Sequence, residues 1–262
     1  ETDEDIIIGI SGIVNGTENG IQEKTVKILN NDAKPIVTLL VSANTLNEDF
    51  GDISTTATVK LDVLSGQDVT VELSKNGTAT DVNDYTLETI TLVIVAGQTS
   101  TSTTLSAVTD LLNEDDETII LNINTVENGV KSLTQAPQIV NIPDNDSMPT
   151  VSLSVSSATV NEVAPGEKTE IYATLSAVSG RAVTVILKTD GDATEGVDYA
   201  FNFKTFIIPA GTASTTFILT ALDDPTNEVD ELAIVEIERV EKGLIDGIQK
   251  QIVTIVSNDA AP

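Results

Sequence analysis

The sequence predicts an all-β chain: two antiparallel β-sandwiches in tandem, preceded by a partial unit. Three observations predict it. The apolar residues are mostly Val, Ile, Leu and Ala, with aromatics at 3 % and no Trp. Val and Ile, with the abundant Thr, suit a pleated, half-buried strand surface. Short runs alternate apolar and polar residues with period 2, and no segment combines a sustained 3.6 period with helix caps. Finally, the chain repeats itself. Val37 falls on Val151, Asn47-Glu48 on Asn161-Glu162, Asp84-Tyr85 on Asp198-Tyr199, Ala96-Gly97 on Ala210-Gly211, Asn113-Glu114 on Asn227-Glu228 and Asp116-Glu117 on Asp230-Glu231, always 114 residues apart. A fixed offset without insertion marks repeated modules.

The elements follow in order. Residues 1–33 carry an acidic lead, a strand-like run with Ile6, Ile8 and Ile10, a turn signal, and a second run with Val26 and Ile28. This is the ending also seen at 113–146 and 227–259, so 1–33 reads as the last two strands of a truncated unit. The chain thus begins inside a repeat, as a piece of something longer would. A lone hairpin is marginal in water, and its open edge invites pairing. We expect it to pair with another chain or with the missing strands of its own module.

Residues 36–146 and 150–259 are the complete units. The linkers Ala33-Lys34-Pro35 and Ser147-Met148-Pro149 are short and contain Pro, which stiffens them. Within the units, strands are predicted at 36–41 and 151–155, 54–64 and 169–175, 69–74 and 183–188, 92–95, 99–108, 118–126 and 139–142. Turns fall at Ser65-Gly66, Ser179-Gly180 and Ala96-Gly97. About seven short strands in ~110 residues, separated by Gly, Asn and Pro, describe an antiparallel sandwich. Asp84-Tyr85 and Asp198-Tyr199 read as a turn-capping Asp beside a core Tyr. Asn15-Gly16-Thr17 and Asn76-Gly77-Thr78 fit the glycosylation acceptor pattern, but Asn-Gly is first a turn dipeptide.

Charge narrows the function. With 41 Asp+Glu against 13 Lys+Arg, the formal net charge is −28. Phosphate backbones and anionic membrane surfaces would repel such a chain, so neither nucleic acid nor membrane is an expected partner. Hard cations, which take oxygen ligands, remain compatible. The absence of Cys and His removes disulfides, thiolate and imidazole metal sites, Cys nucleophiles and His bases together. No run approaches ~20 apolar residues. Paired carboxylates could serve glycoside hydrolysis, but three Tyr and five Phe are few for a sugar platform, and no enzyme is expected.

Each unit resembles a Calx-β repeat, on four motifs taken in order. They are Asn83-Asp84-Tyr85 and Val197-Asp198-Tyr199; Val95 to Thr99 and Pro209 to Thr212; the acidic loops Asp110 to Glu117 and Asp223 to Glu231; and the endings Asp144-Asn145-Asp146 and Ser257-Asn258-Asp259. The resemblance covers both units and the tail of a third in residues 1–33. It implies an immunoglobulin-like sandwich, and Ca2+ held at one tip by three loops. Carried over residue by residue, the metal set is Glu48, Asp110, Glu114, Asp144 and Asp146 in the first unit. In the second it is Glu162, Asp190, Asp223, Asp224, Glu228 and Asp259. The pattern is depleted in places: Leu111-Leu112 interrupt the first acidic loop, Asn76 stands where the second unit has Asp190, and Ser257-Asn258 open the last triplet.

The expectation is a structural spacer segment of a large extracellular surface protein, an adhesin stalk or filament, bacterial in type. Ca2+ would stiffen its joints, and adjacent repeats of the same protein would be its partners. A glycan- or protein-binding adhesion module is the alternative, for which Tyr172, Phe201, Phe203 and Phe206 could form a patch. A Ca2+-sensing regulatory module is a further one.

Overall fold

A computed structural model describes residues 1–49, 53–163 and 165–259. Every regular element among them is a strand. The contacts divide the chain into two compact units: residues 1–109 with 116–143, and residues 110–115 with 144–262.

The first unit opens with a ribbon, β1 (Glu4–Gly9) paired antiparallel to β2 (Glu23–Ile28). The sandwich follows. One sheet contains β3 (Ile36–Val41), β4 (Ser54–Leu61), β6 (Tyr85–Leu87), β8 (Ser100–Ala107) and the short β10 (Val130–Lys131), in the order β10-β3-β4-β8-β6. The other contains β5 (Val69–Gly77), β7 (Thr91–Ile94), β9 (Glu117–Glu127) and β11 (Gln138–Ile142), in the order β11-β9-β5-β7.

The second unit repeats this plan. Its first sheet holds β12 (Thr150–Val155), β14 (Lys168–Leu175), β16 (Tyr199–Phe201), β18 (Ser214–Ala221) and β20 (Leu244–Ile245). Its second holds β13 (Thr159–Asn161), β15 (Val183–Gly191), β17 (Thr205–Ile208), β19 (Glu231–Glu241) and β21 (Lys250–Val256). The orders are β16-β18-β14-β12-β20 and β13-β21-β19-β15-β17.

The period-2 pattern does what alternation dictates. In β4, Thr55, Ala57, Val59 and Leu61 point inward; in β14 the inward residues are Thr169, Ile171, Ala173 and Leu175, at the same four places. Each sandwich therefore closes over its own apolar core. Leu39, Val71, Leu105, Leu121 and Val140 lie at the centre of the first, and Ile171, Val185, Phe217, Leu219 and Val235 at that of the second. The buried hydroxyls of Thr55 and Thr169 are satisfied locally, by Ala43 N–H at 2.8 Å and Ser157 N–H at 3.0 Å. A buried hydroxyl without partners would cost stability.

Two sequence expectations change. Asn76-Gly77 is not a hairpin turn: both residues continue β5, with Gly77 opposite Ile119. Gly77 (φ +126°) and Gly191 (φ +115°) end β5 and β15, where a Cβ would lie 2.0 Å from Thr118 O and 1.9 Å from Leu232 O. The neighbouring strand runs so close that only glycine fits. The aromatic patch does not form either. Phe206 stacks on Phe217 inside the core at a centroid distance of 4.0 Å, and Phe201 packs edge-on against Phe217. Phe203 is left exposed.

Candidate metal centre

Strand pairing gathers the acidic loops of the second unit at one end. Tyr199 pairs with Ala221, so Asp198 meets the start of the loop after β18: Leu222 N–H donates to Asp198 O at 2.9 Å. Asp223 and Asp224 follow at once in sequence. Asn161 pairs in parallel with Val256, so Glu162 arrives beside the chain end, with its N–H on Val256 O at 3.0 Å. Glu231 pairs with Ile255 from the other side. Asn227 closes the loop by donating from Nδ2 to Asp259 O at 2.6 Å. Glu162 and Val256, 94 positions apart in sequence, thus become neighbours because these strands end together.

At this end Glu162, Asp198 and Glu228 each present a carboxylate oxygen within 4.8 Å of the other two. Glu162 and Asp198 are buried, each 5 % exposed. Burial and like charge both act on the cluster. The Glu162 carboxyl is pushed up by desolvation first, then by Glu228, Asp198, Asp224 and Asp259. Glu228 is raised by desolvation and by Asp198, Asp224 and Asp259. Glu231 is pushed up to about 7, by desolvation first, then by a hydrogen bond to Asp198 and the charges of Asp198, Glu228 and Asp192.

Several oxygens here are buried without a hydrogen-bond partner: Glu162 Oε2, Glu231 Oε2, Asp259 Oδ2 and Ser257 Oγ. Buried polar oxygens almost always have a partner. Ca2+ takes six to eight oxygens, largely carboxylate, at about 2.3–2.6 Å. An oxygen-only, strongly anionic, partly desolvated donor set with unpartnered oxygens fits such an ion. Glu162, Asp198 and Glu228 would hold it, with Glu231, Asp224 and Asp259 around them.

Of the sequence-derived set for this unit, Glu162 and Glu228 converge, and Asp224 and Asp259 contribute charge to them. Asp223 accepts from Asn258 Nδ2 at 3.2 Å at the rim. Asp190 is used locally, accepting from Gly191 N–H at 2.9 Å at the end of β15. Asp198, read from the sequence only as a turn cap and not as a ligand, joins the cluster instead of Asp190. It caps its turn as expected, accepting from Thr194 N–H at 2.6 Å, and it is a ligand candidate as well. Glu231 also escaped notice. Sequence alone signals neither, because their proximity depends on the β16–β18 and β19–β21 registers.

The set derived for 36–146 is distributed differently. Glu48 lies in the first unit, in the connection between β3 and β4, and its backbone oxygen accepts from the Thr109 hydroxyl. Asp110, Glu114, Asp144 and Asp146 belong by contacts to the second unit. Asp110 caps its own loop through Leu112 N–H at 2.8 Å. Asp144 accepts from Asn113 Nδ2 at 2.7 Å and from Glu114 N–H at 3.1 Å, and Asp146 O accepts from Asn113 Nδ2 at 2.9 Å.

Of these acids, Asp144 meets a cation that the chain itself supplies. Arg181 sits 3.0 Å from Asp115 and 3.8 Å from Asp144, and also donates to Asn113 Oδ1. It holds Asp115 below the usual carboxylate range. Lys242 adds a contact to Asp115 at 3.5 Å. Ser179 Oγ donates to Asn113 O, and Gly180 leaves the space that Glu114 fills. The position 114 residues earlier than Arg181 is the neutral Gln67.

Comparison with known families agrees with two repeated units. The family described as the Calx-beta domain matches twice, over residues 30–146 and 144–259. Among solved structures, the CBD12 segment from CALX1.2 shares 18 % identity, with a TM-score of 0.37 over 81 % of this chain and 82 % of that one. The calcium binding domain CBD12 of CALX1.1 shares 19 % identity, with a TM-score of 0.35 over 78 % and 79 %. The apo-form Calx CBD1 domain shares 20 % identity, with a TM-score of 0.34 over 42 % of this chain and 99 % of that one. No curated protein sequence matches.

Proposed function

Because the chain belongs to the Calx-beta domain family, matched by both repeats in succession, we propose that it is a load-carrying spacer with Ca2+ held at a sandwich tip. The site is the cluster of Glu162, Asp198 and Glu228. The observation that carries the reading is the group of buried oxygens without partners at Glu162, Glu231 and Asp259. A divalent cation would neutralise the mutual repulsion that raises Glu162, Glu228 and Glu231. It would tie the loops after β13, β18 and β21 together.

The setting we propose is an extracellular surface protein of the adhesin-stalk or filament kind. Two sandwiches built on one plan, with strand-rich surfaces and a net charge of −28, suit repeated spacing units. Among the described residues no helix is long and apolar enough to cross a membrane. A glycan-binding face loses support from the burial of Phe206 and the core packing of Phe201.

Calorimetric titration of Ca2+ into chelator-stripped protein tests the cation. Saturable binding in the ~10⁻⁴–10⁻³ M range typical of extracellular modules is expected. Glu162→Gln and Asp198→Asn should each weaken it at least about tenfold. Unchanged binding in both variants would remove this site.

A further inference from the structure

The ribbon of β1 and β2 carries the register of a closing hairpin without the sandwich that such a hairpin closes. Glu4 faces Ile28 and Ile6 faces Val26. In the first sandwich Glu117 faces Ile142 and Ile119 faces Val140. In the second Glu231 faces Ile255 and Ala233 faces Val253. The same pairs share the same face each time.

Their burial does not agree. Ile119, Leu121, Ile123, Val140 and Ile142 are 0–2 % exposed, whereas Ile6, Ile8, Ile10, Val26 and Ile28 are 45–59 % exposed. A contiguous aliphatic face of this kind, left in water, marks a surface meant to be covered.

A second feature supports the equivalence. Glu1 stands in the same relation to this ribbon as Glu114 does to β9, three residues before the strand. Glu1 Cβ lies 2.7 Å from where Gly66 would carry a Cβ; Glu114 Cγ lies 2.5 Å from the corresponding point of Gly180. Gly66 and Gly180 are themselves 114 residues apart.

We infer that residues 1–32 are the closing hairpin of a further sandwich, and that strands equivalent to β3 through β8, joined in cis ahead of Glu1, cover its bare face. The complete units show what the cover is. β9 packs its inward residues against the β3-β4-β8 sheet and pairs along its free edge with β5. β1 presents the same inward residues and the same open edge. A cis source is favoured because the connection from β8 to β9 spans only residues 108–116. A connector that short presents the hairpin at high effective concentration, without the cost of association. A second copy offers no matching strands, since both of its sandwiches already hold their own closing hairpins. The inference rests on fold and register and is independent of Ca2+ binding.

The test places a copy of residues 34–113 directly ahead of Glu1 and follows amide hydrogen exchange in β1 and β2. In the 1–262 chain both strands exchange fast. In the extended chain their protection rises roughly a hundredfold or more, toward that of β9 and β11. Ile8→Glu removes this gain and leaves the melting temperature of the 1–262 chain unchanged. Thr25→Glu, on the opposite face, alters neither. Equally fast exchange in the extended chain would overturn the inference. So would a 1–262 chain that sediments as a dimer and becomes monomeric on Ile8→Glu, since a second copy would then be the cover.

Discussion

Replacing Glu231 with Gln should stabilise the metal-free protein, and the effect should vanish in acid. Glu231 is raised from 4.5 to about 7 by burial and by neighbouring acids. Its folded-state value lies above its unfolded one, so the folded state binds the proton more tightly. That contribution is fully present below pH ~4.5 and is lost as pH rises through about 7. The shift of ~2.5 units sets a ceiling of ~3.4 kcal/mol, at 1.36 kcal/mol per unit. The carboxyl lies at the sandwich tip, only part-buried among other acids, and screening reduces the usable part to ~1–2 kcal/mol.

Gln keeps the shape, removes the charge, and can donate from Nε2 to the Asp198 carboxylate. At pH 8 in chelator the variant should therefore melt about 3–6 °C above the parent. At pH 4, where the parent carries its proton, the two should coincide. Adding Ca2+ at about ten times its Kd stabilises the parent by ~1.4 kcal/mol, and the variant, short of one charge, by less. Differential scanning calorimetry at the two pH values, with and without Ca2+, reads all of this. A variant that melts below the parent at pH 8 in chelator, or by an amount that does not depend on pH, refutes the argument.

Arg181→Gln strips the guanidinium from Asn113, Asp144 and Asp115; charged hydrogen bonds are worth ~1.5–3 kcal/mol, and limited proteolysis should then cut within 110–115 at a rate that the parent reaches only at high salt. Gly191→Ala forces a Cβ onto Leu232 O, and Gly77→Ala does the same at Thr118 O; each should cost more than ~2 kcal/mol by denaturant melting, with Gly12→Ala, which meets nothing and has no positive φ, as the contrast. Phe217→Ala empties the centre of the second core, where Phe206 and Phe201 rest on it. The expected loss is ~3–5 kcal/mol, seen as a lower calorimetric transition for that unit alone.

Most of the fold was legible because it depends on local alternation. The strands at 54–64, 69–74, 183–188 and 118–126 show in sequence because their inward residues sit at every second position. The short β6, β10, β13 and their counterparts are too brief to alternate, and they exist only because a neighbouring strand offers its edge. The candidate metal centre was half legible for a related reason. Glu162, Glu228 and Asp259 stand in obviously acidic loops. Glu231 closes one of those loops as the first residue of β19, and only the β19–β21 register turns it to the tip; Asp198 joins only through the pairing of β16 with β18. Arg181 lies in a plain Ser-Gly-Arg turn, and its acidic partners Asp115 and Asp144 are 66 and 37 residues away.

The parallel pairing of β13 with β21 has a mechanical consequence. β13 lies near the start of the second sandwich and β21 at its end. Their hydrogen bonds, among them Thr254 N–H to Ala158 O at 2.8 Å and Glu162 N–H to Val256 O at 3.0 Å, lie across the direction in which tension on the two ends would slide these strands. Tension therefore shears the set together and does not unzip it one bond at a time. The Thr45–Asn141 bridge repeats the arrangement in the first sandwich. Glu162 and Asp259 flank this clamp, so an ion joining them would resist the same displacement, and the force needed to open the module would report whether the ion is bound.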